Sequence, residues 1–301
     1  ALKKRNLAKS KTIKSDFPKP YFYGKNNFGS LKVDPKGNFA TFRLIEDSER
    51  KNEKMEVFIT ADGYNQIEDT KEKVSTDNLL ASKFGVYDIA KDSVYFVNFS
   101  SLSHIQDVPK YFELYEKSKT TEKKDKLIVV QEPIYNENGS YAIAEIRSQD
   151  NKDRWIVSLN LKKGTFQELD HQHDEAWIGG PGIPSYSFGR GTLGFLGDNE
   201  TVYFQSEETG YSHLYTYNLK SKKKTQLTKG NWEVRNVNLS KDKKSFYLTT
   251  TTTHPGNRDF YKLEVANAVL QPILTKDGAH EVSLSPDEST LIVRYSYKNK
   301  P

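Results

Sequence analysis

Between positions 171 and 175 the chain reads His171-Gln172-His173-Asp174-Glu175, two imidazoles and two carboxylates within five residues. These are the donor types of a metal site, and equally of a polar loop whose carboxylates hold a cation by charge-assisted hydrogen bonds. Zinc demands a fixed tetrahedral geometry that spacing alone does not supply, so a polar loop is the expectation, with no metal and no cofactor. Glu207-Glu208 is a second acidic pair. Its neighbours place it in a turn between two strands, where solvated carboxylates are expected. Gly179-Gly180-Pro181-Gly182 and Phe188-Gly-Arg-Gly-Thr-Leu-Gly194 have the glycine density of phosphate loops. No helix pattern follows either, which removes the N-terminal amides an anion needs. No Gly-x-Ser-x-Gly occurs, and the chain has no Cys, so neither a serine elbow nor a thiolate is available. No catalytic residue is expected.

The elements that carry these residues follow a repeat. A short strand, a polar turn rich in Asp, Asn or Gly, and an aromatic-rich strand recur at Leu31 to Phe42, Tyr87 to Phe96, Ile134 to Ala144, Gly194 to Phe204, Val237 to Leu248 and Val282 to Val293. Aligned on Pro35, Lys91, Glu137, Asp198, Asp242 and Asp287, the spacings are 56, 46, 61, 44 and 45 residues. Period-2 alternation follows each turn, the pattern of a half-buried strand. A second hairpin follows most copies, clearly at Arg154 to Leu169, Ser212 to Leu227 and Arg258 to Ile273, and weakly at Met55 to Ile67 and Tyr111 to Lys124. Two hairpins per repeat make four antiparallel strands, the unit of a β-propeller blade. Five blades are expected to start near Phe28, Phe84, Val129, Gly179 and Arg235, with a sixth, incomplete one from Glu281. The expected fold is all-β: a propeller over residues 28–301, part of one with seven or eight blades. Residues 1–27 are read as a connection and the tail of a preceding blade, broken by Pro18 and Pro20.

Composition agrees with this and excludes other classes. Aromatic residues reach 12% of the chain, too many for a disordered segment and favourable to strands. The net charge of +5 comes from lysines scattered in turns rather than an arginine-rich face, which excludes a nucleic-acid partner. No apolar run approaches the roughly 18 residues of a membrane-spanning helix. The single Met is Met55, and the start Ala1-Leu2-Lys3-Lys4-Arg5 has no signal-like apolar core.

The segments Tyr203-Phe-Gln-Ser-Glu-Glu-Thr-Gly-Tyr-Ser-His-Leu-Tyr215 and Gln226-Leu-Thr-Lys-Gly-Asn-Trp-Glu-Val234 together resemble the propeller of the prolyl oligopeptidase family, in its dipeptidyl peptidase IV-like branch. His173 to Gly182, His254 to Tyr261 and Leu284 to Ile292 resemble the same branch, and the clear match runs from Val129 to Pro301. The resemblance implies a covalently linked α/β-hydrolase domain beyond residue 301 that carries a Ser, Asp and His triad. The propeller would gate and position peptides for it. A periplasmic or extracellular location is implied too. In this branch a propeller Glu pair holds the substrate amine; its Tyr-Glu-Glu string is absent here. The loop after Leu169 offers Asp174, Glu175 and Trp177 as peptide-binding residues instead. The alternative is a free-standing propeller that binds a protein or small ligand.

Overall fold

The computed structural model describes residues 18–47, 52–72, 80–114, 124–184 and 189–298. Among the described residues the only helix is a single 3₁₀ turn, Lys110–Leu114, and none is long and apolar enough to cross a membrane.

Five turns share one geometry and mark five repeats. In each, a backbone N–H donates to the carbonyl three residues back: Gly37 to Asp34, Gly139 to Asn136, Asn199 to Leu196, Lys243 to Ser240 and Glu288 to Ser285. The donor residue is left-handed every time, with φ of 68°, 62°, 59°, 57° and 60°. Short polar side chains favour this conformation by bonding the local backbone. Asp198 Oδ1, for example, accepts from the amides of Glu200 and Thr201. Each turn joins the first two paired strands of an antiparallel sheet.

The first sheet contains β1 (Asn27–Val33) and β2 (Phe39–Ile45), then β5 (Ser82–Asp88) and β6 (Ser93–Phe96), in that spatial order. Between β2 and β5 the chain makes an excursion through the hairpin β3 (Asn52–Val57) and β4 (Gln66–Glu72). The second sheet has β7 (Ile128–Val130) and β8 (Ile134–Tyr135) pairing one flank of β9 (Ala142–Ser148), followed by β10 (Asp153–Asn160) and β11 (Thr165–His173). The third comprises β12 (Leu193–Phe195), β13 (Thr201–Ser206), β14 (His213–Asn218) and β15 (Lys223–Gln226). The fourth comprises β16 (Val234–Leu239), β17 (Ser245–Thr250), β18 (Asp259–Glu264) and β19 (Leu270–Leu274). Two strands, β20 (Ala279–Leu284) and β21 (Leu291–Ser296), end the series.

Alternation along the middle strands explains why the sheets stack. Ala142, Ala144 and Ile146 of β9 pack with Phe84 and Val86 of the first sheet, while Ile143, between them, packs with Val202 and Phe204 of the third. In β10, Trp155 faces the first sheet and Ile156 the third. Leu214 of β14 then packs with Phe246 and Leu248 of the fourth sheet. The second and third sheets are thus apolar on both faces, and the cores lie between consecutive sheets, the arrangement of propeller blades.

Four sequence expectations need correction. Phe84 does not open a blade; it lies in β5, the third strand of the first sheet. The hairpin expected at Met55 to Ile67 exists, but β3 and β4 pair only with each other. Every β3 residue except Val57 is exposed, and β2 pairs directly with β5. The hairpin expected at Tyr111 to Lys124 begins as the 3₁₀ turn, and residues 115–123 lie outside those described. The third sheet starts at Leu193 rather than Gly179, which leaves residues 178–192 as a connection. Of the 1–27 segment, residues 1–17 lie outside those described.

Candidate functional site

The connection leaving β11 is bent at once by Asp174, whose Oδ1 accepts from the amides of Ala176 at 2.7 Å and Trp177 at 2.8 Å. Lys152, in the tight turn between β9 and β10, donates its ammonium to the carbonyls of Glu175 and Ala176. The turn therefore sits on the second sheet, with Trp177 half-exposed at 49%.

The two neighbouring carboxylates part company. Glu175 Oε1 accepts the amide of Lys110, at the start of the 3₁₀ turn, and its Oε2 lies 3.2 Å from His173 Nε2. Glu175 is thus a tie to the segment between the first and second sheets. His173 Nδ1 and His171 Nε2 both bond Asp153 Oδ1, at 2.8 Å and 2.9 Å, and Lys126 Nζ donates to Asp153 Oδ2. Burial works against the charge on Asp153, but the bonds from His171, Lys126 and His173 outweigh it and hold the carboxyl down to about 2. Burial likewise opposes charge on His173, and its bonds to Asp153 and Glu175 prevail, so its pKa is raised. The imidazoles of the 171–175 run are spent on a buried carboxylate. No group of three His, Asp or Glu among the described residues is arranged to hold a metal.

Asp174 faces elsewhere. It and Glu233 add their charges to Glu207, which is exposed in the turn after β13 and whose pKa is raised by partial desolvation and then by those two neighbours. Glu207 Oε1 lies over Gly180, so close that a Cβ there would stand 2.3 Å away. Glu208, the other half of the acidic pair, is bonded to Lys224. The structure thus brings together Asp174, Glu207 and Glu233 around the Gly179–Gly182 turn. Of these, sequence reasoning picked Asp174 and set Glu207 aside. The one available signal was the position of Glu207, directly after the buried end of β13.

The Gly179–Gly182 turn is held by buried side chains on both flanks. Arg147, fully buried on β9, donates to the carbonyls of Ile178 at 2.9 Å and Pro184 at 3.0 Å. Gln205, fully buried on β13, and Ser212 both donate to the carbonyl of Pro181, at 3.3 Å and 2.8 Å.

Residues 93–301 match the family model of the dipeptidyl peptidase IV (DPP IV) N-terminal region. The chain belongs to this family. Dipeptidyl peptidase 4 of Trichophyton rubrum is 31% identical to this DPP IV N-terminal region over 179 residues, covering 58% of the chain and 22% of the relative. That of Arthroderma otae is 33% identical over 150 residues, 48% of the chain and 18% of the relative. The chain therefore spans about a fifth of the length of these relatives. Among solved structures, a Bacteroides ovatus protein assigned as a dipeptidyl aminopeptidase IV superposes with a TM-score of 0.62 at 17% identity, over 93% of this chain and 40% of that one. Porphyromonas gingivalis dipeptidyl peptidase 4 gives 0.60 at 13% identity, over 88% and 33%. Those two likenesses concern the fold. The family match makes this chain a propeller domain of a DPP IV-like peptidase.

Proposed function

We propose that this propeller positions the amino end of a peptide for a serine hydrolase domain located beyond residue 301, and that the Asp174, Glu207 and Glu233 carboxylates are where the peptide's ammonium docks. The observation that carries the reading is the position of Glu207, exposed over Gly180 and within the field of Asp174 and Glu233, so that three acids crowd negative charge at one turn. A cation placed there relieves that repulsion and gains charge-assisted hydrogen bonds. Trp177, half-exposed beside Asp174, offers its ring to a peptide side chain. Glu175 supports the loop from behind through His173 and Lys110. The DPP IV-type relatives carry the peptidase chemistry in their names, and the propeller alone has no elbow serine motif.

The test is kinetic. In the full-length peptidase, Glu207→Gln and Asp174→Asn are each expected to lower kcat/KM on a free-amine peptide about ten- to a hundredfold, the effect of one charged hydrogen bond of roughly 1.5–3 kcal/mol. The N-acetylated peptide should be cleaved equally by parent and variants. Equal loss on both peptides, or no loss on either, rejects the reading.

A further inference from the structure

Three fully buried charged residues, Glu145, Arg147 and Arg154, cluster between the second and third sheets. Blade architecture does not require them. Counted from the shared turn, whose closing carbonyls belong to Tyr141, Thr201 and Ser245, the fourth residue onward is Glu145 in the second sheet, Gln205 in the third and Thr249 in the fourth. Two residues further stand Arg147, Glu207 and Thr251. The fourth sheet thus builds the same strand with threonines. Buried ion pairs are also poor stabilisers, since apolar replacements of the same volume are often as stable or more so.

What the polar residues hold is one connection. Arg147 takes the carbonyls of Ile178 and Pro184, Arg154 takes that of Thr192 at 3.3 Å, and Glu145 Oε2 accepts the amide of Gly191 at 2.9 Å. Gln205 is the hub on the other side. Its Oε1 accepts the Thr192 hydroxyl at 2.6 Å, and its Nε2 serves Val234 O at 2.7 Å, Ser212 Oγ at 3.0 Å and Pro181 O at 3.3 Å. Its own carbonyl accepts from Arg154 at 2.8 Å. Gly182, with φ of 75°, packs so tightly on Gln205 that a Cβ would lie 2.1 Å from its Oε1. β13 ends at Ser206 and Glu207 follows it directly, so the strand that seats Gly182 also leads Glu207 to its place over Gly180.

The geometry points to Gln205 as a positioning residue for peptide recognition: it fixes the Gly180–Pro184 turn against β13 so that Glu207 and Asp174 face the same point. This role rests on the peptide reading given above, and it assigns to a buried amide the shape of the binding face. The side chain touches no peptide. It acts through the turn.

Two measurements separate the clamp from the peptide reading. In the 301-residue chain, Gln205→Met keeps the side-chain length and removes the hydrogen bonds. The amide protons of Gly180, Ile183 and Thr192, which bond within the turn, should exchange at least tenfold faster, with those of Leu248 and Leu263 unchanged. Ser212→Ala and Thr192→Val each remove one partner outside the strand cores and should give the same pattern in milder form, independently of how well Gln205→Met folds. In the full-length peptidase these variants should raise KM for a free-amine peptide about tenfold while kcat stays within about twofold, because a remote contact contributes uniform binding. Undiminished amide protection in all three variants would overturn the clamp. Faster exchange with unchanged KM would leave the clamp standing and overturn its role in peptide recognition.

Discussion

Asp153 has no exposed surface, yet it stays ionised because two imidazoles and an ammonium surround it. Its folded pKa of about 2 lies below the 3.8 of a free aspartate, so the charged form is favoured by folding. The sign is that of a depressed acid: the stabilisation is complete above about pH 4 and is lost as pH falls toward 2. It amounts to about 2 kcal/mol at neutral pH. Urea unfolding at pH 5 should show Asp153→Asn less stable by about that amount, and the gap should narrow toward pH 2; a constant gap would rule the linkage out. His173 runs the other way. Its pKa is raised, so its contribution is complete below about 6.5 and declines as pH climbs through the folded value. Residue-level chemistry was only partly legible in the sequence. The 171–175 run stood out by composition, but which of its groups face solvent depends on Asp153 and Lys110, 18 to 65 residues away. Glu207 is the exposed turn acid that its neighbours in sequence suggest; what they do not show is the charge of Asp174 and Glu233, which lie on a separate loop and at the start of the next blade.

At the scale of elements, the strands were readable and their pairing was less so. Polar turns followed by alternating aromatics located β9, β13 and β17 to within a few residues, since a strand buried on one or both faces writes its period into local sequence. Neighbour relations are not local. The β3–β4 hairpin has the same alternation as a blade hairpin, and its exposed Met55, Phe58, Ile59 and Ile67 show that nothing among the described residues covers it. Because Ile45 pairs with Ser82 across β2 and β5, the first sheet is complete without the excursion. Replacing residues 46–81 by a two-residue Asn-Gly turn should therefore not destabilise the protein, and the shorter closure should add up to about 2 kcal/mol of stability. Thermal unfolding decides: a loss of several kcal/mol would mean that the hairpin packs on the blades after all.

As a whole molecule, the chain is a row of sheets that each lean on the next, and the proposed function puts the chemistry on an attached hydrolase domain. The 301-residue chain should show no labelling by a serine-directed fluorophosphonate, whereas the full-length peptidase should label at one serine. Stoichiometric labelling of the propeller alone would place a nucleophile where none is recognised. The excursion in the first sheet also bears on the order in which the row assembles. Most neighbouring middle strands are joined by four to eight residues, as between β9 and β10 or β17 and β18, but β2 and β5 must meet across residues 46–81. Closing a loop of about 36 residues rather than about six costs roughly 1.6 kcal/mol more in chain entropy, a delay of about fifteenfold if the nucleus requires it. Early closure of the β3–β4 hairpin shortens the gap and recovers part of that. The first sheet is thus expected to close after its neighbour, whose β9 and β10 are joined by a tight turn and which offers the surface on which it condenses. Refolding of the variant lacking the excursion should lose its slow phase while unfolding at the old rate.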